Sequence, residues 1–313
     1  MSSIHTNAAA MNALSTLRNI NSNLTETQSR ISTGFKVQSG KDNAAYFAIS
    51  TTMKGDSGAY RAINEGLTLT KNSIATARLG SETVQGLAQQ FLDKVAFAQG
   101  AEGGQTEIEN DLLEIVKQME TTLSQSTFNG DDMLGAASYG TADVTAAAVV
   151  AADGTITRAT NGNAAVGVDR DVVTGISRAG GTYATTTMAV STHDMAVLVA
   201  DFSALATGFA AAADDATTGA AFLAGALAST EAVFGDVTDI ATQLGQSEAA
   251  IEGQQEFLNK LADTLDAGVG AMVDADMEEE AARLQALQVQ QQLATQSLSI
   301  ANQNPQNVLS LFR

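Results

Sequence analysis

The chain has 313 residues, a formal net charge of −19 at pH 7, no Cys, no Trp and a single Pro. That length allows one to three domains with a sizeable core, and the missing Cys removes disulfide and thiolate chemistry. The acidity excludes a nucleic-acid partner, because phosphate binding needs a basic surface, and an aromatic content of 5% argues against a deep small-molecule pocket.

The charge is unevenly spread. Residues 1–41 carry Arg18, Arg30, Lys36 and Lys41 against Glu26 alone, and after Arg283 only Arg313 is charged. The acidity therefore lies in the middle of the chain. Such a distribution keeps copies soluble yet lets weakly charged ends pack together. The first residues lack the basic segment and apolar run that Sec export reads, so no signal peptide is expected. No stretch reads as long and apolar enough to span a bilayer, so no membrane insertion is expected.

From Ile4 to Ile31 the pattern is helical. Leu17, Leu24 and Ile31 are seven apart, with Met11, Leu14 and Ile20 filling in, a heptad-like seam. Ser32-Thr33-Gly34 breaks it. Ser39-Gly40-Lys41-Asp42-Asn43 is a polar break with Asp42 or Asn43 placed to cap the next helix. A long helical region then runs to about Gly100, with Ile63, Leu67, Ile74, Val84, Phe91 and Val95 in register, and a kink is expected near Gly55 to Gly58. Thr106 and Glu109 read as a capping box for a helix carrying Ile108, Leu112, Ile115 and Met119. Phe128-Asn129-Gly130-Asp131 reads as a hairpin tip.

Between about Gly135 and Gly219 the composition shifts to Ala, Gly and Thr, with β-prone runs at Val144 to Val150, Thr155 to Thr157, Val166 to Val168 and Thr185 to Val190. Asp153-Gly154, Asn161-Gly162 and Gly180-Gly181 punctuate them as turns. This is expected to be a small, mainly β insertion, in which Met195 to Phe209 is either helix or strand. Thr185, Thr186 and Thr187 fit either plain strand or O-linked sugar acceptors. Helical spacing returns by Phe222 and is clear from Val237 to Met272. Asp274 to Glu280 is an acidic start for the last helix, with Asp276 and Glu279 fitting a capping box.

That last helix has two apolar stripes. Leu284, Leu287, Gln291, Ala294, Leu298 and Ala301 make one; Val289, Leu293 and Ile300 make another on a different face. A helix with two apolar faces needs neighbours on two sides, and one of them is expected to be the N-terminal helix. A helix from Asn43 to Gln99 would be roughly 80 Å long, against about 50 Å for a compact globule of this length, so an elongated rod is expected.

Sites for chemistry are few. His5 and His193 have no zinc spacing and read as solvated structural residues. Gly34 to Asp42 fails the phosphate-loop pattern in its glycine spacing and in carrying Asp42 where Ser or Thr would hold magnesium. The acidic run Asp274 to Glu280 lacks the Gly and distal Glu of a calcium loop. No cofactor, metal or enzymatic activity is expected.

The chain resembles bacterial flagellin. Asn12-Ala13-Leu14 through Ser29-Arg30-Ile31-Ser32-Thr33-Gly34, then Ser39-Gly40-Lys41-Asp42-Asn43-Ala44-Ala45, match the family at the N-terminus. Ser299-Ile300-Ala301-Asn302-Gln303-Asn304-Pro305 through Leu311-Phe312-Arg313 match it at the C-terminus, as do Phe128-Asn129-Gly130 and Asp274-Ala275-Asp276-Met277. The resemblance implies a mainly α rod of long antiparallel helices: an inner domain of paired terminal helices (1–41 and 283–313), a helical rod domain (42–135 and 220–282) and a variable outer domain (136–219). It implies a homopolymeric filament for swimming motility, export through the flagellar type III apparatus with a chaperone, and contact with sister flagellins, hook-associated proteins and the filament cap. A hook–filament junction protein, whose ends are similar, is the alternative. The family stretch read by the vertebrate flagellin receptor is Arg-rich around a Leu-Ala-Val-Gln run; here it reads Phe91-Leu92-Asp93-Lys94-Val95-Ala96-Phe97-Ala98-Gln99, which implies weak recognition.

The physics points the same way. Ordering about 70 terminal residues costs roughly 1–2 kcal/mol each, and isolated helices of this kind are marginal in water. A two-helix pair alone buries too little to offset that, and a head-to-tail contact that does not close gives an open helical polymer. The residues expected to carry pairing and assembly are Met11, Leu14, Leu17, Leu24, Ile31, Leu284, Leu287, Leu293, Leu298, Ile300, Leu309, Leu311, Phe312 and Arg313.

Overall fold

A computed structural model describes residues 7–101, 103–135, 144–146, 148–158, 160–161, 169–177 and 184–310, with the backbone alone for 144–146, 160–161, 169 and 304–310. The helices are α1 (Ala8–Thr33), α2 (Ala44–Ala98), α3 (Gln105–Gln125), α4 (Met195–Ala206), α5 (Phe209–Ala213), α6 (Gly219–Val273) and α7 (Met277–Ser310). The strands are β1 (Thr127–Phe128), β2 (Asp131–Asp132), β3 (Val144–Ala146), β4 (Val149–Val150), β5 (Ile156–Thr157), β6 (Thr160–Asn161), β7 (Asp169–Ser177) and β8 (Ala184–Ser191). They form four separate antiparallel pairs, β1 with β2, β3 with β6, β4 with β5 and β7 with β8. The chain is therefore mainly α with a small strand-bearing insertion in its middle. By packing it divides into two compact units, Met1–Gly58 with Leu261–Arg313, and Ala59–Lys260.

In the first unit α1 and α7 run antiparallel, since Asn7 reaches Ala301, Asn21 reaches Gln291 and Arg30 reaches Glu280. Gly34 ends α1 in the left-handed conformation (φ 76°) and donates to the Arg30 carbonyl, the position where a Cβ is disfavoured and Gly is not. The following residues lie along the α6–α7 junction. Lys36 donates to the Val273 carbonyl at 2.7 Å and Ala275 donates to the Gly34 carbonyl at 2.9 Å. Val37, Val269 and Val273 close over this joint as a minor core, with Met53 and Met272 beside it. Asn43 is the residue that caps α2, accepting from the Ala45 and Tyr46 amides. The Asp42 carboxylate instead accepts from the Gln38 and Ser39 amides, so the N–H groups a phosphate would need are already occupied. Those bonds hold its carboxyl below the usual carboxylate value. The helix α2 is continuous through Gly55 and Gly58.

The second unit is built on α2 and α6, with α3, α4 and α5 packed over them. Leu67, Ile74, Val84, Phe91 and Val95 from α2 share one core with Leu112 and Met119 from α3, Phe202 from α4, Phe209 from α5, and Phe222, Val237, Leu244 and Leu258 from α6. Phe91 meets Phe202 edge-on at 5.1 Å and Phe209 meets Phe222 at 5.5 Å, the arrangement that ring quadrupoles favour. A polar ladder flanks the core at about one step per two helical turns. Asn64 bonds Asn259, Lys71 pairs with Glu252, Arg78 with Glu248, and Gln85 bonds Thr238. This ladder fixes the antiparallel register of the two long helices more than it stabilises them, because exposed pairs are worth little.

Several expectations are decided or corrected here. Of the two readings for Met195 to Phe209, helix holds over Met195–Ala206, capped by Asp194, with six of its ten apolar residues buried and the other four partly covered. Thr106 and Glu109 do not form a capping box: Gly104 is the cap residue of α3, and the Glu109 carboxylate accepts from the Gly208 and Ala210 amides at the start of α5. His193 is half-buried rather than solvated, its backbone N–H donating to Met133, and burial pushes its imidazole below the ordinary value. A bilayer-length apolar stretch does exist, in α6, by length and composition. Phe222, Leu223, Ala226, Val233 and Val237 of α6 are core residues, and 33% of the apolar stretch is buried. His5 and Val166 to Val168 lie outside the described residues.

The Asn129-Gly130 tip is confirmed as a two-residue hairpin turn, with φ of 51° and 81° at the two positions. In the insertion, the β4–β5 turn presses against α6. Ser229 donates to the Gly154 carbonyl and accepts from the Ile156 amide. The approach is so close that a Cβ at Gly225 would sit 1.9 Å from the Asp153 carbonyl oxygen.

Candidate interaction surface on the terminal helices

The α1–α7 pair begins at Asn7, whose side chain does two jobs. Its Oδ1 accepts from the Ala10 amide at 3.1 Å and caps α1. Its Nδ2 donates to the Ala301 carbonyl at 2.9 Å. That carbonyl is available for a reason visible in the sequence: the residue four positions on is Pro305, which lacks the N–H that would otherwise take it. One amide thus satisfies an orphan donor of one helix and an orphan acceptor of the other.

From there the seam on α1 follows Ala10, Ala13, Leu17, Ile20, Leu24, Thr27 and Ile31, all partly or wholly covered. Three- and four-residue spacing keeps them in one line, and the two alanines let the helices approach closely. On α7 the covered line is Leu284, Leu287, Gln291, Ala294, Leu298 and Ala301. Gln291 donates to the Asn21 side chain at 2.7 Å, a polar step in an otherwise apolar seam.

The far end is closed by charge. Arg30 donates to the Glu280 carboxylate at 3.1 Å and also pairs with Glu26, while Arg283 reaches the same Glu280 at 3.3 Å. Burial alone would lower the Arg30 pKa; hydrogen bonding to Glu280 and the charges of Glu26 and Glu280 outweigh it and raise it. The Glu280 side chain is only 6% exposed; both guanidinium groups meet its Oε1, while its Oε2 is buried without a hydrogen-bond partner. Asp276 caps α7 by accepting from the Glu278 and Glu279 amides, and Glu279 pairs with Arg283. The acidic run is therefore committed to helix starting and ion pairing.

What the pair leaves open is the second face. Val289, Leu293 and Ile300 on α7 are 55%, 58% and 57% exposed, and Met11 and Leu14 on α1 are 65% and 38% exposed. Met11 and Leu14 thus stand off the covered line: each follows a seam residue, Ala10 and Ala13, by one position, and one residue of helix turns about 100°. Leu311, Phe312 and Arg313 lie outside the described residues, as does the side chain of Leu309. Sequence reading missed Asn7, Arg30 and Glu280. An Asn just before the first helical turn, a Pro inside the last helix, and the last acid before an uncharged stretch are the signals that could have found them.

In the second unit, Leu69, Thr70, Ser73, Phe128, Asn129, Gly130, Asp131 and Arg170 line an open cleft of about 330 Å³. Its carboxylate is not free: Asp131 accepts from Ser73 at 2.6 Å and pairs with Arg170.

Comparison with known proteins agrees with this geometry. A model of the bacterial flagellin N-terminal helical region matches residues 4–138, and a model of the bacterial flagellin C-terminal helical region matches residues 227–312. Flagellin C of Rhizobium meliloti is 37% identical over the full length of both chains. Flagellin of Brucella melitensis is 33% identical and Flagellin A of Rhizobium meliloti 32% identical, again over all of each chain.

Proposed function

The chain belongs to the bacterial flagellin family and is a structural subunit of the flagellar filament, the extracellular polymer that family forms; from this premise we propose that its terminal helices complete their fold only when copies stack. The observation that carries this is the uncovered stripe Val289, Leu293 and Ile300 on a helix whose other stripe is already paired. Leu17, Leu24, Ile31, Leu284, Leu287 and Leu298 hold the pair together, while Met11, Leu14, Leu293 and Ile300 face the neighbouring copy. Leu309, Leu311, Phe312 and Arg313 extend the same contact.

The three-part division into inner (1–41, 283–313), rod (42–135, 220–282) and outer (136–219) domains belongs to this reading. The family models stop at 138 and resume at 227, which supports a separate middle segment. Sister flagellins are natural co-subunits, since several flagellins are named in one relative's organism. Export through the type III apparatus with a chaperone, capping by hook-associated and cap proteins, and the lack of catalysis follow from the same role. No observation favours a hook–filament junction protein.

The test is removal of residues 284–313. The shortened chain stays monomeric under conditions where the full chain grows micrometre filaments by electron microscopy. Filaments from the shortened chain would refute the mechanism.

A further inference from the structure

The chain has nine Met and neither Cys nor Trp, so thioethers are its most easily oxidised side chains. Their exposure is sharply divided. Met119, Met133 and Met195 are buried to 0–1% in the large core, Met188 packs against that core, and Met53 and Met272 pack against the Val37 cluster. Met11 is 65% exposed and Met277 46%; Met1 lies outside the described residues. Met277 opens α7 beside Asp276 and Glu278, a charged turn. Met11 instead shares the open face of α1 with Leu14, one turn away.

We propose that Met11 is a redox modification site through which peroxide controls assembly of the free subunit. The inference rests on the reading that a neighbouring copy covers this face. A lone pair of the Met11 sulfur attacks the outer oxygen of a hydrogen peroxide molecule. The S–O bond forms as the O–O bond breaks, the sulfur loses two electrons, and the departing hydroxide takes the remaining proton and leaves as water. The product is the sulfoxide, a polar group with a strong acceptor and no donor. On a face that must be buried against another copy, that acceptor goes unsatisfied. A rise of about tenfold in critical concentration follows from such a burial. Oxidation at Met277 adds polarity to an already charged turn and leaves assembly alone. Inside a filament the Met11 sulfur is covered, so the block acts on free subunits and spares finished polymer. Methionine sulfoxide reductases reverse it.

The experiment treats full-length monomer with hydrogen peroxide, maps each Met by peptide mass spectrometry and measures critical concentration before and after. Met11 and Met277 gain oxygen while Met119, Met133 and Met195 do not, and critical concentration rises about tenfold. Reductase treatment restores the starting value. Met11→Leu, compared with its own untreated baseline, loses the response, whereas Met277→Leu keeps it. Preformed filaments treated alike retain reduced Met11. The proposal is overturned if Met11→Leu responds to peroxide as strongly as the parent chain, or if Met11 stays reduced while buried core Met oxidises. If Met11 oxidises selectively in monomer and is equally reactive in filaments, the covered-face reading of α1 is what fails.

Discussion

Replacing Asn7 by Asp asks whether one side-chain amide ties the two ends of the chain together. Asp keeps the oxygen that accepts from Ala10 and loses the donor that lies 2.9 Å from the Ala301 carbonyl. Asn and Asp cap helices about equally well, so capping nearly cancels. What remains is one partly buried hydrogen bond, about 0.5–1.5 kcal/mol. At the middle of that range the critical concentration for filament growth rises about fivefold. The size of the effect is less telling than its dependence on Pro305. Pro305→Ala restores the N–H that the Ala301 carbonyl lacks, so in that background the Asn7 donor is no longer required. Sedimentation of filaments formed by the parent, Asn7→Asp, Pro305→Ala and the double variant closes a double-mutant cycle. Coupling of at least about 0.5 kcal/mol is expected. Strictly additive effects would show that Asn7 acts as a helix cap alone.

Three further outcomes are expected. Leu293→Ala leaves monomer stability unchanged, because the side chain is 58% exposed, but raises critical concentration about five- to twentyfold, since full burial of a Leu is worth about 1.5–3 kcal/mol and the share still to be covered about 0.9–1.7 kcal/mol; an unchanged critical concentration contradicts a covered second face. Gly225→Ala drives a Cβ to within 1.9 Å of the Asp153 carbonyl oxygen, costing about 1–3 kcal/mol by overpacking and lowering the melting temperature by roughly 2–4 °C per kcal/mol; an unshifted melt means the β4–β5 turn does not pack there. For Asp131, burial pushes the carboxyl up, but hydrogen bonds from Ser73 and Arg170 outweigh it and hold it below 3.8. Its folded pKa is depressed, so its stabilisation is present above pH 3.8 and is lost as pH falls through the lower folded value. Hydrogen exchange at the β1–β2 hairpin therefore quickens in that acid window, and Asp131→Asn flattens the response; an equally steep response in that variant refutes the assignment.

Periodicity alone located the long helices, because burying one face of a helix writes a three- and four-residue spacing into any sequence. It also separated the two stripes of α7, since Leu284 and Leu287 on one side and Val289, Leu293 and Ile300 on the other differ by angle, which spacing encodes. The Asn129-Gly130 turn was legible for a similar reason: both positions need positive φ, and few residues accept it. Local chemistry misled where two readings share one pattern. Thr106 with Glu109 satisfies the capping-box spacing, yet the carboxylate found the unpaired amides of α5, about a hundred residues away in sequence.

Helical content, the pairing character of the two chain ends and the place of the insertion can therefore be read from residue order, because each arises from interactions within a few turns. That Met11 and Leu14 stand off the α1 seam, that Asn7 fills the gap left by Pro305 and that Glu280 answers Arg30 emerges from the packed helices. Those partners are 294 and 250 residues apart along the chain. No local spacing encodes such a meeting; it exists only once the long helices have set which residues face each other.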